Sequence, residues 1–128
     1  MKPPGCVFFA GMDALREVYA AFNARNIDGA MALMHPEIDW PNGWEGGRVL
    51  GREAVRGYWT RQWAAIDPTV EVVRVETRPD GTVAVDVDQR VRDLDGAVIA
   101  QGRVVHVYTL RDGLFARMDI EEGGADRS

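Results

Sequence analysis

The sequence predicts a single α+β domain in which helices cover one face of a curved, mainly antiparallel sheet. Apolar residues recur at helical spacing in three segments of the first half. The second half is almost entirely β-branched alternation interrupted by glycine turns. A chain of 128 residues can bury one ordinary core and is too short for two. Helices followed by an antiparallel meander must pack on one face of the sheet.

Three helices are predicted from apolar stripes and capping residues. The first begins at the N-cap residue Asp13, and its apolar face carries Leu15, Val18, Tyr19 and Phe22. The second is short, is capped by Asp28 or Asn26, and ends at His35-Pro36, because a residue before proline avoids the helical region. The third spans Arg52 to Ile66 and ends at Asp67-Pro68.

One short strand precedes the third helix, and four long strands follow it. Ile38 and Trp40 alternate with Glu37 and Asp39, which is the two-residue period of a half-buried strand. The long strands are predicted over 70–77, 82–92, 97–110 and 114–121. Turns at Pro79-Asp80-Gly81, Asp95-Gly96 and Arg111-Asp112-Gly113 separate them.

Composition and motifs exclude several classes of function. The net charge is −5 and Lys2 is the only lysine, so we expect no nucleic-acid partner. Cys6 is the only cysteine, which excludes a disulfide and a Cys-based metal framework. The apolar patch from Cys6 to Ala10 is shorter than a signal peptide's apolar region, so we expect a cytoplasmic protein without a membrane segment.

Cofactor and metal signatures are also absent from the sequence. No Walker loop, dinucleotide fingerprint or Ser/His/Asp elbow occurs, so no cofactor is expected. His35 and His106 stand seventy-one residues apart without a third ligand in a matched pattern, so no metal is expected either. We read His35 as a residue that ends a helix beside Pro36.

Two stretches resemble a known family. Residues 19–59, YAAFNARNIDGAMALMHPEIDWPNGWEGGRVLGREAVRGYW, and residues 103–122, RVVHVYTLRDGLFARMDIEE, resemble the SnoaL-like branch of the nuclear-transport-factor-2-like superfamily. That superfamily includes ketosteroid isomerases, polyketide cyclases and limonene-epoxide hydrolases. The resemblance implies a domain over 12–122 with tails at 1–11 and 123–128, folded as a cone-shaped α+β barrel. These motifs specify a fold more closely than an activity.

The resemblance also implies a pocket that opens near the short strand and the loop after it. Trp40 and Trp44 would line and cover its mouth and hold an apolar, ring-bearing molecule. The alternative places Trp40 in the core and packs Trp44 on the third helix. The converging apolar stripes give the predicted ligand-binding set: Tyr19, Phe22, Trp40, Trp44, Tyr58, Trp59, Trp63, Val85, Val104, Met118 and Ile120.

Ketosteroid isomerase activity is not expected. Trp40 occupies the position at which the resemblance places the isomerase's general base, and the adjacent Asp39 turns to the opposite face of the strand. The oxyanion-hole tyrosine of the isomerase aligns with Val18, and Tyr19 is one residue away. That offset rotates the side chain by about 100° around the helix, enough to miss the pocket unless the helix rolls.

His106 is the residue of the chain best suited to acid/base chemistry. It aligns with the isomerase's second pocket acid. Alternation places Val104, His106 and Tyr108 on one face, so an imidazole and a phenol would share an apolar cavity. The alternative is a core histidine bonded to a backbone carbonyl or to Tyr108. A second titratable group is sought in Asp119, or in Asp86 or Asp88.

Turn length decides which residue of the last strand meets His106. A three-residue turn with a glycine bulge places Leu110 opposite Leu114 and Met118 opposite His106. A two-residue turn instead pairs His106 with Asp119. The three-residue turn suits Arg-Asp-Gly better, although both remain open.

The opposite sheet face carries mixed charged and apolar side chains. The Asp95-Gly96 turn predicts that Val83, Val85, Val87 and Gln89 share the face of His106. Asp86, Asp88 and Arg90 then share the outer face with Arg103, Val105 and Val107. Such a face suits a homodimer joined through the sheets, which the family commonly forms, or it is simply solvated. The same predicted strand pairing turns Arg90, Arg103 and Arg117 away from the pocket. An epoxide hydrolase needs an arginine between two carboxylates inside the pocket.

Two functions follow as hypotheses. The first is a small-molecule enzyme of isomerase, cyclase or hydrolase type that uses His106 with Tyr108 or Asp119 for proton transfer on an apolar, cyclic substrate. The second is a non-catalytic protein whose pocket holds a hydrophobic ligand. An enzyme should show a titratable pair within hydrogen-bond distance inside the cavity, whereas a binding protein should show an isolated histidine.

Overall fold

The structure is a computed structural model that describes residues 9–42 and 46–122, with side chains described at 13–42 and 46–121. It is an α+β fold with three helices and a six-stranded, mostly antiparallel sheet. In chain order the elements are α1 (Phe9–Asn23), α2 (Ile27–Met31), β1 (Met34–Pro41), β2 (Arg48–Leu50), α3 (Arg52–Ala65), β3 (Asp67–Thr77), β4 (Val83–Arg92), β5 (Val98–Arg111) and β6 (Leu114–Glu122). The strand order is β2-β1-β6-β5-β4-β3. Only the β1–β6 pair is parallel among these strands.

The first helix begins earlier than predicted, and the second begins at one of its two predicted caps. α1 begins at Phe9 rather than at Asp13. Asn26, not Asp28, caps α2, because its side chain accepts a hydrogen bond of 3.1 Å from the backbone N–H of Gly29. Within the described residues, no helix has both the length and the apolar character needed to span a membrane.

The predicted end of the second helix at His35-Pro36 is wrong. α2 stops at Met31, and Met34 opens strand β1, which contains both His35 and Pro36. Met34 pairs with Phe115 of β6, and the N–H of Phe115 donates a 3.0 Å hydrogen bond to the carbonyl of Leu33. Pairing with a distant strand outweighs helical spacing here, which local sequence patterns cannot reveal.

A second short strand, β2, was not predicted and lies in the glycine-rich segment. Its residues pair antiparallel with the end of β1, Trp40 opposite Val49. Gly51 follows with φ +92, in the left-handed region that suits glycine, and serves as N-cap of α3. The predicted element order is therefore correct except for β2, since one short strand, β1, was predicted before α3.

The main core lies between the helices and one face of the sheet. Its fully buried members include Leu15 of α1, Val55 and Trp59 of α3, and Met34 and Ile38 of β1. The other sheet face carries a small separate cluster of Ala84, Val105 and Val107. The pairing of β4 with β5 confirms the predicted faces, with Val85 opposite His106 and Asp88 opposite Arg103.

The β5–β6 hairpin combines features of both predicted turns. Arg111 pairs with Leu114 across a two-residue turn in which Asp112 and Gly113 have φ of 57 and 78, as in a type I′ turn. Thr109 then pairs with Arg117, so one residue of β6, Ala116, has no partner in the ladder and forms a bulge. The predicted three-residue turn is therefore wrong.

The bulge determines which side chains of β6 share the face of His106. A two-residue turn alone would pair His106 with Asp119, and the extra residue shifts the register by one. His106 pairs with Ile120, and Tyr108 pairs with Met118. The prediction that Met118 lies opposite His106 is therefore wrong, because Ile120 lies directly across; Met118 shares the face of His106, and Asp119 does not.

Candidate functional site

A cavity of about 580 Å³ lies between the helices and the inner face of the sheet. Eight of the predicted ligand-binding residues line it, namely Tyr19, Phe22, Trp40, Tyr58, Trp59, Val104, Met118 and Ile120. His106 and Tyr108 line it as well. Trp44 lies outside the described residues. The lining is therefore rich in aromatic and aliphatic side chains, which is typical of small-molecule sites.

Two predicted lining residues, Val85 and Trp63, do not reach the cavity. Val85 is completely buried in the sheet opposite His106, so it supports the imidazole from the core. Trp63 packs its ring 5.3 Å from that of Phe22, and the guanidinium of Arg25 lies 5.0 Å above it. This cation–π contact holds Trp63 at the end of α3 and away from the cavity.

Trp40 is both a core residue and a wall of the cavity, the two alternatives that the sequence left open for it. Its side chain is only 9% exposed and belongs to the core. It also lines the cavity and packs edge-on against Trp59, with ring centroids 5.4 Å apart. The residue at the isomerase's base position is thus an aromatic wall of the cavity.

Three buried polar side chains form a hydrogen-bonded relay in the cavity. The hydroxyl of Tyr108 donates to the hydroxyl of Tyr19 at 2.8 Å, and Tyr19 Oη lies 2.7 Å from Nδ1 of His106. The rings of Tyr19 and His106 also stack, 5.9 Å apart with an interplanar angle of 16°. The two tyrosines and the histidine come from α1 and β5, so the relay joins the first helix to the sheet.

Tyr19 was predicted as a ligand-binding residue, but its contact with His106 was not predicted. The one-residue offset was expected to turn its side chain away from the pocket. In the structure Val18, Tyr19 and Phe22 all line the cavity, so the helix presents a face centred on them. Tyr108 was expected to contact His106, and it does so only through Tyr19 among the hydrogen bonds of the described residues.

Asp119 lies on the outer face and does not pair with His106. It is opposite Val107, receives hydrogen bonds from Arg117 at 2.9 Å and Arg48 at 3.2 Å, and the Arg117 bond lowers the pKa of its carboxyl. The bulge in β6 is the physical reason, because it turns Asp119 away from the cavity. Asp86 and Asp88 also pair with outer-face positions of β5.

The outer network contains two carboxylates bridged by arginine, which is the arrangement sought for an epoxide hydrolase. Arg48 contacts both Asp39 and Asp119, and so does Arg117. None of these four residues lines the cavity. The network ties β2 to β1 and β6, since Arg48 also donates to the carbonyl of Met118.

Burial keeps the relay neutral. It lowers the pKa of His106 to about 4, so the imidazole is uncharged at pH 7. Burial is also the main cause that raises the pKa of the Tyr19 and Tyr108 hydroxyls. No Asp, Glu, Lys or Arg is present among the described residues that line the cavity. The site is therefore electrically neutral apart from its dipoles.

The relay assigns the imidazole proton to Nε2. Tyr108 donates to Tyr19, which leaves the Tyr19 proton for Nδ1 of His106, and each hydroxyl proton then has an acceptor. A neutral imidazole that accepts at Nδ1 carries its hydrogen on Nε2. In the part of the chain that the structure describes, no group forms a hydrogen bond to Nε2. That N–H is available to a molecule in the cavity.

Metal-binding geometry is not found in the described parts of the chain. No group of three or more His, Cys, Asp or Glu side chains lies close enough together to hold an ion. His35 instead contacts Arg111, and its Nδ1 accepts a 3.0 Å hydrogen bond from the backbone of Glu37. It therefore braces strand β1.

Sequence reasoning missed several lining residues on the outer half of the cavity. They include Gln62 of α3, its C-cap residue Ile66, Pro68 and Val70 of β3, and Val91 and Ile99. Gln89 was placed on the correct face without being assigned to the pocket. In the structure Gln89 lines the cavity, with Val70 beside it on β3 and Gly102 beside it on β5.

The SnoaL-like domain profile matches residues 15–118. TerC, crystallised with polyporic acid, is 26% identical over 92% of this chain and 95% of that chain, with a TM-score of 0.76. A protein of Mycobacterium tuberculosis in complex with estradiol-17beta-hemisuccinate is 19% identical over 91% and 95%, with a TM-score of 0.76. A putative polyketide cyclase of Xanthomonas campestris is 16% identical over 92% and 93%, with a TM-score of 0.75. The latter two share the fold. No curated protein matches the chain.

The buried imidazole makes stability depend on pH in a defined direction. The folded-state pKa of about 4 lies below the usual 6.5 of histidine, so the unfolded chain takes up the proton first as the pH falls. The free energy of unfolding should drop by up to ~3 kcal/mol between about pH 6.5 and 4 because of His106. Urea unfolding of the native protein, His106→Gln and His35→Gln at several pH values measures this.

Subtracting the pH profile of a variant from that of the native protein removes the contribution of the carboxylates that both proteins share to the free energy of unfolding. The native protein minus His106→Gln should show the drop, and His35→Gln controls for the loss of an imidazole elsewhere in the chain. A flat difference for His106→Gln would contradict a buried, neutral imidazole.

Proposed function

The chain belongs to the SnoaL-like domain family, and on that basis we propose that it binds an uncharged, ring-bearing small molecule in the cavity. The observation that carries the proposal is the neutral relay that ends in the Nε2–H of His106, set among aromatic walls. Trp40, Trp59 and Met118 offer flat or adaptable apolar surface to a ring. We also propose that the sheet closes around the helices as a cone, as the family resemblance implies.

Two similar structures support a small-molecule ligand. TerC was crystallised with polyporic acid, and the Mycobacterium tuberculosis protein was solved with estradiol-17beta-hemisuccinate. The cavity of this chain differs in chemistry from a carboxylate-binding site, because no cationic side chain is among its described lining. The expected ligand presents a hydrogen-bond acceptor, such as a carbonyl oxygen, to His106.

The same geometry supports acid/base chemistry of isomerase or cyclase type. A carbonyl oxygen bonded to Nε2–H becomes more electron-poor at its carbon, and negative charge that develops on the oxygen is stabilised. The relay strengthens this donation, because Tyr19 and Tyr108 are polarised in the same direction. His106 would act as a neutral electrophile, since a proton drawn through the relay would leave a buried phenolate. The epoxide-hydrolase arrangement lies on the outer face and is not proposed.

Non-catalytic binding is the second candidate, and a specific observation favours it. No carboxylate is found among the described lining residues, so the cavity has no obvious group to remove a proton from carbon. A protein that only carries a hydrophobic ligand needs no such group. The titratable pair of Tyr19 and His106 favours the enzyme, and the two candidates differ in whether bound carbonyl compounds react.

Binding of uncharged and anionic probes of the same size tests the ligand class. We expect 4-acetylbiphenyl to quench tryptophan fluorescence and to bind at least about tenfold more tightly than biphenyl-4-carboxylate, because burying an unpaired charge is costly. Comparable or tighter binding of the carboxylate, or no binding of the ketone, would contradict the proposal.

Proton exchange of the bound ketone separates the enzyme from the binding protein. In D₂O an α-proton of the acetyl group passes to water while the electron pair moves onto the carbonyl oxygen, where Nε2–H stabilises it. The native protein and His35→Gln should accelerate deuterium uptake about tenfold or more over buffer, as followed by NMR. His106→Gln should still bind and should lose the acceleration. Binding without acceleration by the native protein would favour the non-catalytic candidate.

We further propose that two copies associate through their outer sheet faces. Ala84, Val105 and Val107 form an apolar cluster on that face. Ion pairs surround it, including Arg103–Asp88 at 2.9 Å. An apolar centre with a polar rim is the usual composition of a protein interface.

Matched charge reversals test this assembly. Arg103 lies on the sheet face, whereas Arg56 lies on α3 and forms a 2.9 Å pair with Asp28. Sedimentation equilibrium at about 10 μM, a concentration at which a standard-size interface is occupied, should show a dimer for the native protein and Arg56→Glu and a monomer for Arg103→Glu. A monomeric native protein, or loss of the dimer only in Arg56→Glu, would contradict it.

A further inference from the structure

The mouth of the cavity contains a polar group that the relay does not use. Gln89 of β4 lines the cavity, is half-buried, and has no side-chain hydrogen bond to any described residue. On the side of this cavity its neighbours in the lining include the apolar residues Val91, Ile99 and Ile66, and on its other side it borders a second, more polar cavity of about 420 Å³. A leucine of similar size could pack there without an amide to satisfy.

The two strands that flank Gln89 place different groups beside its side chain. On β3 its neighbour is Val70, whose backbone N–H and carbonyl are both bonded to the Asn23 side chain, at 3.0 and 2.8 Å. On β5 its neighbour is Gly102, and a Cβ added there would have no atom within 4 Å. Glycine inside a strand weakens it and often marks a close approach by a ligand. The amide is therefore accessible from the β5 side.

Gln89 and His106 belong to one track along the sheet. His106 pairs with Val85, and Gln89 is four residues further along β4 on the same face. At the usual rise per residue this places them roughly 13 Å apart along the strand, with Val104 between them on β5. That separation exceeds one six-membered ring and suits two or three linked or fused rings.

From these observations we propose that the ligand is an elongated, uncharged molecule with a polar oxygen at each end. One oxygen accepts from His106 Nε2–H in the depth of the cavity. The other, a hydroxyl or carbonyl oxygen, bonds the Gln89 amide at the mouth, in the space left by Gly102. This inference rests on the proposed function, because it extends the ligand from the His106 site, and it makes Gln89 a specificity-determining residue.

The test compares two probes that differ at one end. Tryptophan quenching is titrated with 4-acetylbiphenyl and with 4-acetyl-4′-hydroxybiphenyl on the native protein, Gln89→Leu, Gln101→Leu and Gly102→Val. Gln101→Leu is the matched control, because Gln101 is an exposed amide of β5 that pairs with Arg90 and does not line this cavity. Thermal unfolding by circular dichroism checks that each variant is folded.

The added hydroxyl should tighten binding about fivefold in the native protein and in Gln101→Leu, the effect of one net hydrogen bond. The preference should vanish in Gln89→Leu, and in Gly102→Val, which fills the space left by Gly102 without touching the amide. Equal affinity for both probes in the native protein, or a preference that survives in Gln89→Leu, would overturn the inference while leaving the proposed function intact. Failure of both probes to bind would instead reject the proposed function.

Discussion

The hydrogen bond between Tyr19 and His106 is the constraint on which the site depends. It joins α1 to β5 across the interior at 2.7 Å, and Tyr108 completes it at 2.8 Å. Three polar groups can be buried together here only because each satisfies another, since an unpaired buried group would cost about 1–3 kcal/mol. The same burial that requires the bond also lowers the pKa of His106 and keeps the site neutral. Burial of these three side chains therefore determines both their hydrogen bonding and the charge of the site.

The β-bulge at Ala116 is the second constraint, and it acts through geometry alone. It places Met118 and Ile120 on the cavity face of the sheet and Asp119 on the outer face, where arginine side chains bond to it. Without it a carboxylate would face the imidazole, and the cavity would have an acid/base pair with a net charge. A single extra residue in one strand thus separates an uncharged pocket from a charged surface network.

Period-two alternation in β4 and β5 predicted which side chains of the sheet share the His106 face, and the predicted parity holds because a register shift between Val91 and Arg92 leaves Ile99 without a partner. The strand that starts at Met34 could not be predicted in the same way, because its pairing with Phe115 joins segments 81 residues apart in sequence. The bulge at Ala116 has no local signature. The contact between Tyr19 and His106 was not predicted, because alignment with a family compares positions, whereas the orientation of α1 decides which side chains enter the cavity.

The central claim is that His106 is a neutral imidazole whose Nδ1 accepts from Tyr19 and whose Nε2 carries the hydrogen available to a ligand. Two-bond ¹H–¹⁵N correlation spectra of the histidine rings at pH 7 measure this directly. The account predicts a protonated Nε2 and an unprotonated Nδ1 for His106, and loss of the fixed tautomer in Tyr19→Phe. A doubly protonated ring at pH 7, or a hydrogen on Nδ1 in the native protein, would contradict it.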